Sequence, residues 1–547
     1  MPNKNTQPAF STLYELCSYC ATHFQKQTAI EEKHGDFYKG HSYAKLCGDA
    51  KKLGAALCAK LGCRAHVMLI GENGYDLVLS YLAVTAYVGT AVPMPVFANA
   101  ENTADAVKLC DVSAVIYGDA ASELVLALGE DIEKIPFSSL GELIKNAPSQ
   151  NESFVPSPDD AAELAYTYGG EESARAVILT HKNICFSIGQ MARMLPLGTD
   201  DKLYSVLPTA YSYERICGTL YPLSRGACVT YGEGLRHLST NLRRVSPTAM
   251  LCVPLILDRI YGKIWANIEK KGIGEKVRRA IKLTAAAGPL RTAVRKQIFA
   301  EIHDSLGGRL SVLICGGGAP SAEAVFGLRE FGIRALACYG AVETASVMCA
   351  NRKDLHEYTS LGMPVPDGLV DIYNMQSDGI GEVRYKGDNV TPGYYKNDAM
   401  SAEIIRGGWF YTGDMGYFDR RGFLHTVGKK SNMILRAKRR AVFPEELESK
   451  LCESPFVAEA VVIGESDTAH GDYDIVAVIE PDTENLMALY GEELTREQLE
   501  NEIKNAVDNV NATLEPYKHI SRAVISDTKL EKNELGKIVR SKVSAKA

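Results

Sequence analysis

The chain has no excess of basic charge. Its 60 Lys and Arg stand against 67 Asp and Glu, a formal net charge of −7, which argues against a generic nucleic-acid surface. It has no paired C-x-x-C motifs: Cys17 and Cys20 form one, and neither a second pair nor a His pair accompanies it, so no zinc site is indicated. Most of its 14 cysteines sit in apolar runs such as Leu313-Ile314-Cys315 and Ala337-Cys338-Tyr339. That is the usage of small buried hydrophobes in a reducing compartment, and a cytoplasmic location is expected. The opening MPNKNTQPAF lacks the apolar core of a signal peptide. One uncharged stretch, residues 77–97, reaches about the length of a membrane span, but Gly89, Pro93 and Pro95 interrupt it. The reading is a helix over 75–88 followed by a buried strand at 90–92, with no transmembrane segment. No G-x-G-x-x-G fingerprint and no internal repeat is present, so a dinucleotide fold is not indicated.

What the sequence does have is length and alternation. At 547 residues it exceeds one core and predicts two or more domains. Residues 12–30 read as a helix and a strand, and a hairpin tip follows at His34-Gly35-Asp36. Leu46, Ala50, Leu53, Leu57 and Leu61 then recur near helical spacing. Strands alternating with helices predict parallel sheets covered by helices. Near the end, 457–462 and 474–479 read as strands. Thr495-Arg496-Glu497-Gln498 is a capping box for a helix with Leu499, Ile503, Val507 and Val510 on one face.

The most informative stretch is 408–448. Its triplet Thr412-Gly413-Asp414 reads as a turn presenting one carboxylate. Asp419-Arg420-Arg421-Gly422 is a second turn, 423–427 an alternating strand ending at Gly428, and Pro444-Glu445-Glu446 opens a helix. The whole run resembles the ribose-binding and hinge region of the adenylate-forming superfamily of acyl-CoA synthetases, luciferases and nonribosomal adenylation domains. Lys429 stands where that pattern has Arg. The resemblance extends over nearly the whole chain and in the same order. It implies an acyl-CoA synthetase-like α/β fold, with a large N-terminal domain of helix-covered sheets (1–428) and a small mobile α/β C-terminal domain (429–547).

The same resemblance names site residues. At residues 164–181 Tyr166, Thr167, Gly169, Val177, Leu179, Thr180 and His181 keep the frame of a phosphate-binding loop. Its interior differs: Tyr168, Gly170, Glu171 and Glu172 replace hydroxyls and glycines, and Ala174-Arg175-Ala176 replaces Pro-Lys-Gly. Two glutamates facing a triphosphate would repel it by about 4 kcal/mol per close pair near a surface, and Arg175 would supply a compensating cation. Residues 205–215 and 247–264 resemble the long-chain branch, with Tyr211 at a His position near the acyl carboxylate. Gly317, Gly318 and Ala319 would border adenine. In Tyr339-Gly340-Ala341-Val342-Glu343, Tyr339 would stack on adenine and Glu343 would hold Mg²⁺, a cation that requires oxygen donors. Asp414 would take the ribose hydroxyls, beside Lys429. Lys537, in LEKNELGKIVR, would contact the acyl carboxylate and α-phosphate.

Two functions follow from the resemblance. One is an AMP-forming ligase using ATP, Mg²⁺ and coenzyme A to activate a carboxylic, fatty-type acid. Its catalytic groups would be Lys537, Glu343 and Arg175. The other, suggested by the altered loop, is a non-catalytic homologue that binds an acyl or nucleotide ligand or a protein partner.

Overall fold

The computed structural model describes residues 10–148, 154–167, 174–284, 291–318, 320–352, 355–436, 440–467, 472–491, 494–532 and 538–543. A nine-stranded sheet runs, from edge to edge, through Met363–Pro364, Cys349–Ala350, Arg334–Tyr339, Val312–Cys315, Ala249–Cys252, Lys202–Ser205, Cys228–Tyr231, Thr28–His34 and Phe37–Ser42. Its central strands are parallel, with antiparallel pairs at both edges. A six-stranded sheet comprises Glu133–Pro136, Ala114–Tyr117, His66–Ile70, Thr90–Met94, Ala161–Thr167 and Arg175–Thr180. It is parallel except for its last pair.

One core joins the facing sides of these two sheets through the helices Leu13–His23, Tyr43–Leu61, Tyr75–Tyr87 and His181–Met194. The uncharged run is explained by this position: every residue of Tyr75–Tyr87 except Asp76 is buried, as a helix apolar all round must be. Gly54 permits the approach of its neighbour helix, because a Cβ there would meet Tyr87. Further helices cover the outer faces. Among the described residues no helix is long and apolar enough to cross a membrane.

A five-stranded antiparallel sheet of Leu369–Tyr373, Gly381–Lys386, Ile405–Arg406, Trp409–Phe418 and Leu424–Lys429 follows. Here the structure corrects the sequence reading. Thr412-Gly413-Asp414 is not a turn but lies inside the continuous strand Trp409–Phe418. The register against Gly381–Lys386 slips at this point, and Gly413 adopts a φ of +67°, so the triplet is a bulge that re-aims one side chain. The real turn is Asp419–Phe423, where Asp419 Oδ1 accepts from the amides of Arg421 at 2.8 Å and Phe423 at 2.9 Å. Beyond it lies the smaller C-terminal domain. There Val457–Asp467, Asp472–Pro481 and Arg522–Ile525 form one sheet, packed on Pro444–Leu451 and Arg496–Asn511.

Candidate active site

The bulge turns Asp414 toward the end of the neighbouring sheet. Tyr339, the last residue of its strand, donates its hydroxyl to Asp414 Oδ2 at 2.5 Å. Lys429 lies directly opposite Asp414 in the antiparallel register, and its Nζ is 2.6 Å from Oδ1. Both carboxylate oxygens therefore have partners. Thr412 braces the bulge, donating its hydroxyl to the Val383 carbonyl at 2.7 Å and accepting from the Asp414 amide at 3.0 Å. Burial, and then the Asp414 charge, push the Tyr339 phenol well above its ordinary pKa.

Glu343 is the middle residue of the short helical turn Val342–Thr344 that follows Tyr339. Its backbone carbonyl accepts from the Thr391 amide at 2.7 Å, and its Oε1 accepts from the Tyr394 hydroxyl at 2.8 Å. Tyr394 is carried on a segment hydrogen-bonded to the strand Arg175–Thr180: the Ile178 amide bonds the Gly393 carbonyl and the Tyr395 amide the Ala176 carbonyl. The Arg175 guanidinium lies 5.2 Å from the Tyr394 ring centroid, a cation–π distance. Arg175 and Glu343 thus share one phenol. Thr167, paired with Arg175 across the strands, donates to its carbonyl at 3.3 Å.

The glycine turn lies against the start of the helix Pro254–Lys270. Gly317 has φ +84°, and a Cβ on Gly318 would lie 3.3 Å from the Pro254 ring. Gly340 has a packing reason for lacking a side chain, since a Cβ would strike the Ser346 backbone. Tyr211 sits on a turn whose amide bonds the Pro208 carbonyl. Arg215 pins that turn, donating Nη1 to the carbonyls of Thr209 and Ala210 at 2.7 Å each. Its Nε donates to Glu163 Oε2 at 2.8 Å and its Nη2 to the other oxygen, while Tyr81 adds a third donor to that carboxylate at 3.0 Å. The pair is fully buried, so it persists only because every charge is satisfied. Motif matching did not reveal this pairing. The signal was a lone acid in the otherwise apolar strand Ala161–Thr167.

Gly169, Ala319 and Lys537, with Glu171 and Glu172, lie outside the described residues. Beside Lys537, Ile538 packs near Val461 and Leu530. Arg540 pairs with Glu448 and approaches Glu445 at 3.8 Å. Glu445 Oε1 in turn accepts from the Lys429 amide at 3.3 Å and from Asn432 at 2.6 Å. The tail segment is thereby linked, through one glutamate, to the residue paired with Asp414. Among the described residues no group of three His, Cys, Asp or Glu side chains could hold a metal. A lone carboxylate such as Glu343 suits Mg²⁺, which is commonly held by one or two carboxylates together with substrate phosphates. Cys58 and Cys63 are disulfide-bonded, and the other cysteines are free thiols, all buried but Cys452.

A helix-covered two-sheet domain followed by a small α/β domain is the architecture of the adenylate-forming CoA ligases. The chain belongs to the AMP-binding enzyme family, whose profile matches residues 18–395. The profile of the AMP-binding enzyme C-terminal domain matches 446–537. Human long-chain-fatty-acid–CoA ligase 1 is 28% identical over 353 residues, which are 60% of this chain and 49% of that protein. The match thus spans about half of the human ligase. Fatty acyl-CoA synthetase A of Dictyostelium discoideum is 26% identical over 92% of this chain and 79% of its own. Among solved structures, the anthranilate CoA ligase AuaEII with anthranoyl-AMP superposes with a TM-score of 0.77 at 19% identity, covering 99% of this chain and 98% of its own. The O-succinylbenzoate coenzyme A synthetase of Bacillus subtilis, in complex with ATP and magnesium ion, gives 0.74 at 19% identity over 96% and 98%.

Proposed function

We propose that the chain is an AMP-forming ligase that activates a carboxylic acid of the fatty-acid class and passes the acyl group to coenzyme A. An acid oxygen attacks the α-phosphorus of ATP and pyrophosphate leaves. The thiol then attacks the acyl carbonyl and AMP leaves. The observation that carries this reading is the convergence of Tyr339 and Lys429 on Asp414, which assembles an acceptor for two ribose hydroxyls beside an aromatic face. In that role Asp414 exchanges its internal donors for those of the sugar, and Tyr339 covers the base bordered by Gly317, Gly318, Ala319 and Gly340. Arg175, with Thr167 and Gly169, faces the phosphates, and Tyr211 lies on the acid side. Lys537 supplies an ammonium where negative charge builds between acid and α-phosphate, the kind of electrostatic stabilisation that most lowers such barriers. Mg²⁺ held by Glu343 would neutralise phosphate charge when bound.

The proposed division is 1–428 for the nucleotide and acid and 429–547 for a lid that turns about the segment after Gly428. Among the described residues, twelve free thiols, eleven of them buried, against a single disulfide between Cys58 and Cys63, favour a reducing cytoplasm. Acid-dependent exchange of labelled pyrophosphate into ATP, over a panel of carboxylates, tests the reading. Exchange with long-chain acids is expected. No exchange with any acid, alongside measurable AMP binding, would leave only the nucleotide-binding homologue suggested by Glu171 and Glu172.

A further inference from the structure

The outer face of the nine-stranded sheet carries a groove of about 520 Å³ between the helices Leu238–Val245 and Pro254–Lys270. Its floor is apolar: Leu238, Leu242, Ile256, Ile260, Ile264 and Leu306. Its charged lining is Arg243, Arg259 and Lys263, with no acid among the lining residues. All three cations are exposed, and none has an ion-pair partner among the described residues. Exposed Arg236 and Arg244 extend the positive surface. Glu233, which precedes this segment, is already taken by Lys33. Two large apolar side chains stand out beside the cations, Leu235 at 40% and Leu255 at 52% exposure.

This pattern departs from the rest of a chain whose net charge is −7. Unpaired cations gathered on two adjacent helices, around an apolar seam and between two projecting leucines, fit a surface that is anionic outside and hydrocarbon beneath. Guanidinium groups engage phosphate oxygens through two parallel hydrogen bonds, and basic clusters on amphipathic helices draw proteins to acidic lipids. A nucleic acid offers the phosphates but nothing for the leucines.

We infer that this face docks on a phospholipid bilayer bearing anionic headgroups. The phosphates sit against Arg243, Arg259 and Lys263, and Leu235 and Leu255 enter the interfacial region. The helix Pro254–Lys270 that carries part of the patch also begins against the Gly317-Gly318 turn, so the docked face adjoins the candidate site. The inference does not depend on turnover.

The test is co-sedimentation of the full chain with two vesicle preparations, one of phosphatidylcholine alone and one of equal parts phosphatidylcholine and phosphatidylglycerol. The chain is expected to bind the second preparation and to be released by rising salt, since exposed charges are screened within about 10 Å at moderate ionic strength. Arg243→Glu with Arg259→Glu and Lys263→Glu should weaken binding by about a hundred-fold or more. Leu235→Ser with Leu255→Ser should weaken it less and leave the salt dependence in place. Thermal unfolding of both variants and their turnover of a detergent-dispersed acid should match the parent. Equal binding to both preparations, no binding to the anionic one, or unchanged binding of the charge-reversed variant would each overturn the inference.

Discussion

The hydroxyl of Tyr339 donates to Asp414 Oδ2 at 2.5 Å across 75 positions of sequence. With Lys429 on the other oxygen, each oxygen of the carboxylate proposed to receive a ribose already carries one donor from within the protein. A nucleotide competes with these two donors for the better-placed lone pairs.

Asp414→Asn should therefore act on the nucleotide specifically. The loss of charge-assisted acceptance, about 1.5–3 kcal/mol, should raise the KM for ATP by about ten- to a hundred-fold while the KM for the acid stays constant. Tyr339→Phe keeps the ring and removes the competing donor. Calorimetric titration with AMP should then show affinity equal to or tighter than the parent's.

Lys537→Ala should separate the half-reactions. Adenylation, followed by pyrophosphate release, should be abolished, whereas thioester formation from preformed acyl-adenylate should survive. Equal loss in both would remove the role proposed for this ammonium.

Arg215→Met leaves the Glu163 carboxylate uncompensated in a site with no exposure. Breaking a buried pair from one side costs about 3–5 kcal/mol, which urea unfolding should register as a lower midpoint. Glu163→Leu combined with Arg215→Met should recover much of that loss. Acid binding should stay impaired in the double variant, because the Thr209 and Ala210 carbonyls beside Tyr211 have lost their anchor.

Glu214 should make stability fall with rising pH. Its side chain is fully buried, and neither oxygen has a hydrogen-bond partner among the described residues. Burial pushes its pKa up to about 8, outweighing the lowering by the neighbouring Ser205 hydroxyl. Between the ordinary 4.5 and about 8 the folded chain holds a proton that the unfolded chain has released, so each step upward in pH across that window favours unfolding. His181 acts oppositely at lower pH, burial having depressed it to about 4. Comparison of the parent with Glu214→Gln therefore isolates the glutamate. Between about pH 5 and about pH 8 the urea midpoint of the variant should lose the fall that Glu214 imposes and keep only the rise that His181 contributes below its ordinary 6.5.

Gly428→Ala should disturb the proposed hinge. A Cβ at this position would collide with the Glu445 carboxylate, the group that joins the Lys429 amide to Asn432 and Arg540. Single-turnover kinetics should show a change in the ratio of the two half-reaction rates larger than any change in AMP affinity.

The alternation of strand and helix was legible because period and punctuation are local. The helix read at 75–88 and the strand read at 90–92 from hydrophobic pattern, Gly and Pro alone stand in the structure as Tyr75–Tyr87 and Thr90–Met94. Thr412-Gly413-Asp414 was misread for a local reason too: turn-favouring residues also make bulges, and only the partner strand decides which. The meeting of Tyr339 with Asp414, and of Arg175 with Glu343 through Tyr394, depends on which strands become neighbours. No spacing along the chain encodes that. The Glu163–Arg215 pair lies between these cases, since a solitary acid in an apolar strand announces a partner without naming it.

The tight turn at Asp419–Phe423 carries a constraint of its own. It fixes the phase of the strand Leu424–Lys429, and successive side chains along a strand point to opposite faces. Adding or deleting one residue between Phe418 and Leu424 would swing Lys429 to the far side of its sheet and bring a different residue opposite Asp414. Sequence drift in that short connection should thus be confined to its exposed arginines, with Asp419 and Gly422 (φ +84°) retained and the length nearly frozen.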